Sequence, residues 1–163
     1  MEHFWTEEDR TRLARVATLE EAAEVALAVL QRMNQHASQH GREIVQVCGP
    51  MSTGGFGNIA ANMAHFERAV NVLKKRDLLV FDQMPFQDAI IRICKYKEGD
   101  GKYHMEILEV FYRRIFESGH VKRAYFLRDW ESSRGATWER WICTELGIIV
   151  DEYPDEWLQQ VTS

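Results

Sequence analysis

The chain has 163 residues, of which 45% are hydrophobic and 28% charged, so it is long and apolar enough to bury a sizeable core as one domain (1–163) and is not an extended disordered polymer. Its 20 Lys and Arg against 25 Asp and Glu leave a formal charge of −5, which lacks the basic footprint of a nucleic-acid partner. Cys48, Cys94 and Cys143 are widely spaced with no CxxC pair, as expected of reduced thiols in the cytoplasm, and no apolar run approaches the roughly 20 residues that span a bilayer, so no membrane partner is expected.

The acidic start, Glu2 to Asp9, has no basic region followed by an apolar stretch and reads as no signal peptide. A short helical pattern covers about residues 6–15. Thr18 with Glu21 has capping-box spacing, and Leu19, Ala23, Ala26, Leu30 and Met33 then recur at helical intervals, which predicts a helix over about 18–36. Together these form an extra N-terminal helical segment over residues 1–40. Ile44 to Cys48 is a short apolar run that stops at Gly49-Pro50, the mark of a buried strand. The segment Met51 to Asn58 carries three of the ten glycines and opens a helix whose stripe is Ile59, Met63, Phe66, Val70 and Leu73. Leu78 to Phe81 reads as a second strand ending at Asp82. Helical patterns follow at about 86–96 and 103–117, the latter with Met105, Leu108, Tyr112 and Ile115 on one face. Ala124 to Leu127 is a third strand, Arg134 to Leu146 a helix, Ile148 to Val150 a fourth strand and about 155–161 a last helix. Strands alternating with helices predict an α/β fold, three-layered and flavodoxin/Rossmann-like. Its sheet would be mainly parallel with four to five strands, and its ligand would lie beyond the strands' carboxyl ends.

Two loops at such strand ends concentrate polar and small residues. In Gly49-Pro50-Met51-Ser52-Thr53-Gly54-Gly55-Phe56-Gly57-Asn58, missing Cβ atoms allow close approach, and the following helix N-terminus offers free N–H donors to an anion. The plain alternative is a structural turn, since neither the Lys-Ser/Thr of a P-loop nor the spacing GxGxxG is present. In Arg128 to Glu139, Ser133 is placed to cap a helix and Glu139 to lie on its first or second turn. There the helix dipole favours an ionised carboxylate, fit for a nucleophile or an electrostatic stabiliser. The alternative is a solvated acid behind an ordinary cap.

The stretch Ser133-Arg134-Gly135-Ala136-Thr137-Trp138-Glu139 resembles the SxGxxxE motif of the nucleoside 2-deoxyribosyltransferase and deoxynucleoside 5′-monophosphate N-glycosidase superfamily. Gly49-Pro50-Met51 after the first strand is similar to that superfamily's first loop, and Trp130 to Ala136 resembles an uncharacterised branch of it. The likeness covers about residues 42–151. It implies cleavage or transfer of the N-glycosidic bond of a nucleoside 5′-monophosphate or related nucleotide, with Glu139 attacking the anomeric carbon. Ser133, Ser132 and Gly135 would then meet the phosphate or sugar beside Gly49, Pro50, Met51, Ser52, Thr53, Gly54 and Gly55. It also implies a homo-oligomer, since members commonly share sites between subunits. The chain departs from the family in carrying Gln46 where many transferases have a Tyr. It has Tyr103, His104, Glu106 and Glu109 but no Asp on the helix before the motif strand. The rival expectation is a catalytically inactive nucleotide-binding module of the same fold.

Asp82 ends a strand and is placed to bind sugar hydroxyls or simply to cap a turn, and Trp130 to stack on a base or to pack in the core. His104 and His120 lack a partner at metal-ligand spacing, so neither a metal nor another cofactor is expected.

Overall fold

Thr6 and Thr18 each accept a hydrogen bond from the backbone N–H three residues on, and so start the first two helices. The computed structural model describes residues 4–51, 54–95 and 104–159. In chain order these form α1 (Glu7–Arg15), α2 (Leu19–His40), β1 (Ile44–Cys48), α3 (Ile59–Lys75), β2 (Leu79–Val80) and a 3₁₀ turn (Met84–Phe86). Next come α4 (Gln87–Cys94), a π-helical run (Ile107–Tyr112) that leads into α5 (Arg113–Glu117), and β3 (Val121–Phe126). A second 3₁₀ turn (Trp130–Ser132), α6 (Arg134–Glu145), β4 (Ile149–Glu152) and α7 (Asp155–Gln159) complete the chain. Among the described residues no helix is long and apolar enough to cross a membrane.

The chain divides into two compact units, with breaks after Arg42, Asp82 and His120. The first is helical. α2 contacts α1, α4, α5 and the π-helical run. Its buried face includes Ala22, Ala23, Val25, Ala26, Val29 and Leu30, and the three alanines let neighbouring backbones come close. Gly41 ends α2 in the left-handed region at φ 62°, which carries the helix past the expected 36 to His40. Arg92 of α4 donates to the Val16 carbonyl at 2.7 Å and ties the α1–α2 connection to α4.

The second unit holds the sheet. All four strands are parallel in the order β2-β1-β3-β4, so the expected α/β class with a parallel sheet is the class observed, with four strands. β1 is buried along its whole length, as its apolar run requires. β3 starts at Val121 rather than Ala124. Lys122 and Arg123 interrupt the apolar pattern there, but Arg123 pairs with Glu43 at 2.7 Å and with Asp151, and this holds the strand's first half in the ladder. Tyr153, just past β4, donates its hydroxyl to the Ala69 carbonyl of α3 at 2.9 Å. Chain order reverses between β1 and β3. Their adjacent carboxyl ends are therefore the topological switch point, where open α/β sheets carry ligands.

Candidate functional site

Both loops singled out in the sequence leave the switch point, and they touch. The Gly55 N–H donates to Ser132 Oγ at 2.8 Å, and that hydroxyl donates to the Asp129 carbonyl at 2.6 Å. Gly54 has φ +70°, and a Cβ there would stand 2.3 Å from the Ser132 carbonyl oxygen, so side-chain-bearing residues are shut out by both conformation and space. Gly49 is packed against Leu127, whose side chain would lie 2.7 Å from an added Cβ. Asn58 starts α3 by accepting from the Ala61 N–H, and Ser133 starts α6 by accepting from the Ala136 N–H. Ser133 is buried and Gly135 is the second residue of α6. Ser52 and Thr53 lie outside the described residues.

Glu139 sits on the second turn of α6 and is 6% exposed. The Cys48 thiol, at the end of β1, donates to its Oε2 at 3.4 Å. Burial pushes the carboxyl from an ordinary 4.5 up to about 8, and the thiol's weak hydrogen bond opposes this only in part. The expected ionised carboxylate is thus corrected: at neutral pH desolvation outweighs the helix dipole, and Glu139 carries its proton. The same cluster raises Cys143 to about 12 and Cys48 well above the ordinary thiol value, chiefly by burial and then through the Glu139 charge. Gln46 lies two residues before Cys48 on the same β1 face and is fully buried. Among the described residues neither its amide nitrogen nor its amide oxygen has a hydrogen-bond partner.

Sequence reasoning missed the residues that shape the loop and the cleft beside it. Asn62 is buried on α3 and accepts from the Phe56 N–H at 2.9 Å while its amide donates to the carbonyls of Met51 and Gly54 at 3.1 Å. Its signal was a polar residue one turn before Phe66 on the apolar side of the helix. A cleft of about 450 Å³ opens between Pro50, Phe56, His65, Arg68, Asp129 and Tyr153, and Glu139 is not part of its wall. Burial lowers the pKa of His65, with Arg68 acting in the same direction and Asp129 against it, so the imidazole there is neutral at pH 7.

The remaining expected residues have structural partners. Asp82 pairs with Lys74 of α3 at 2.8 Å. The Trp130 ring packs edge-on against Phe126 and carries the Arg140 guanidinium 4.3 Å from its centre. Sequence spacing offers His104 no metal-binding partner, whereas the fold brings Cys94 and Glu106 to it in the helical unit. Compared with known proteins, the chain matches no family model, no curated protein and no solved structure.

Proposed function

We propose that the protein cleaves or transfers the N-glycosidic bond of a nucleoside 5′-monophosphate or related nucleotide, with Glu139 as nucleophile. The observation that carries this reading is the hydrogen bond from Gly55 to Ser132, which joins the glycine loop to the turn that leads into the Ser133 cap and, six residues further, to Glu139. The positive end of the α6 dipole, which starts at Ser133, suits a phosphate, and a carboxylate next to the anomeric carbon stabilises an oxocarbenium-like transition state or forms a glycosyl intermediate. The unsatisfied amide of Gln46, on the Cys48 face of β1, adds a donor and an acceptor for a base or sugar. A nucleophilic Glu139 must first lose its proton. The alkaline shift therefore makes kcat/KM rise with pH through an apparent pKa near 8.

The second reading, a nucleotide-binding module without turnover, is favoured by the same burial that keeps Glu139 neutral at pH 7. Incubation with nucleosides and nucleoside 5′-monophosphates, followed by chromatography for free base, separates the two. The first reading expects base from monophosphates, loss of release in Glu139→Gln, and nucleotide binding retained by calorimetry. Binding without release supports the second, and neither binding nor release refutes both. The proposal extends to a cytoplasmic homo-oligomer, which light scattering at micromolar concentration tests.

A further inference from the structure

α4 ends at Cys94 because Lys95 turns left-handed (φ 50°, ψ 42°), and the chain re-enters described structure at His104, immediately before the π-helical run that starts at Ile107. These two ends of the helical unit meet. A ligand atom from each of Cys94, His104 and Glu106 lies within 4.8 Å of the other two, and His104 Nδ1 stands 3.0 Å from Glu106 Oε1. Cys94 is half-buried, the His104 side chain is 17% exposed and Glu106 faces solvent, so the group is open to an ion on the Glu106 side.

We propose that Cys94, His104 and Glu106 form a binding site for a borderline-soft divalent ion of the zinc class. Zinc bond lengths of roughly 2.0 Å to nitrogen and oxygen and 2.3 Å to sulfur set a tetrahedral edge of roughly 3.3–3.8 Å. Separations within 4.8 Å close to that edge with side-chain movements of roughly 1–1.5 Å. The donor set decides the class of ion. A thiolate with an imidazole selects zinc-like ions over magnesium and calcium, which take oxygen ligands, and three protein ligands leave a fourth position for water or a small ligand. The site is independent of the nucleotide reading, because none of its residues belongs to the unit that holds Glu139.

Cobalt(II) titration of the full chain tests the proposal, because a cobalt–thiolate bond gives a near-ultraviolet charge-transfer band that oxygen and nitrogen ligands do not. The expected result is one cobalt per chain with that band, displaced by one zinc per chain. Cys94→Ser should abolish the band, His104→Ala should weaken zinc binding at least about tenfold, and Cys143→Ala should leave both unchanged. Far-ultraviolet circular dichroism of each variant separates lost ligation from lost folding. No band in the wild type, or a band that survives Cys94→Ser in a folded variant, overturns the proposal.

Discussion

Glu139 makes a stability prediction that needs no substrate. Its carboxyl has an ordinary value of 4.5 in the unfolded chain and about 8 when buried against Cys48, so between those values the native state holds a proton that the unfolded state releases. The folded pKa is the higher one. The stabilisation is therefore complete below about 4.5 and is lost as pH rises towards 8. Relative to a neutral side chain, the wild type should be weaker by about 1 kcal/mol at pH 5.5 and by about 4 kcal/mol at pH 7.5. Glu139→Gln keeps the shape and removes the titration, so the wild type should lose roughly 2–3 kcal/mol more than the variant over that interval. For a chain of this length that is a relative fall in Tm of about 5–10 °C. Urea unfolding of both proteins at several pH values measures it, and all other titrating groups cancel in the difference. Parallel stability curves would refute the buried, protonated carboxyl. A wild type that gained on the variant with rising pH would show an ionised Glu139 stabilised by its surroundings.

The loop junction predicts an order of damage. Ser132→Ala removes the acceptor of the Gly55 N–H and should cost about 1 kcal/mol, whereas Gly54→Ala meets the Ser132 carbonyl with a strained φ and should cost roughly 2 kcal/mol or more in the same urea assay; equal costs would contradict the close approach. Gln46→Leu replaces a buried amide that lacks partners, so it should stabilise the protein by about 1–2 kcal/mol while weakening nucleotide binding by calorimetry. A destabilised variant would mean that the amide is satisfied. Thiol labelling of the metal-free protein near pH 8, read by peptide mass mapping, should modify half-buried Cys94 first. Cys48 and Cys143 should react only as the sheet unit opens, since burial removes both access and thiolate.

What the sequence determined by itself is what depends on neighbours in the chain. The apolar run Ile44–Cys48 became β1, Thr18 capped α2, Ser133 capped α6, and the alternation of strands and helices specified a parallel sheet. The two loops were legible because glycine, proline and serine after an apolar run mark the place where a buried strand leaves the core. Element ends were less legible. β3 starts three residues earlier than expected because Glu43, just before β1, and Asp151 of β4 neutralise Arg123.

Only the tertiary structure decided the chemical state of the site. Spacing puts Glu139 six residues after its cap, but whether that carboxyl faces water or the core depends on Cys48, 91 residues earlier in the chain. Asn62 likewise shapes the glycine loop only because α3 folds back against it, and Cys94 reaches His104 only because the end of α4 meets the segment that starts the π-helical run. Helix caps and strand periods act over a few residues, so they are written locally. Burial, which moved Glu139 from about 4.5 to about 8, is the summed exclusion of water by segments distant in sequence, and no local pattern encodes it.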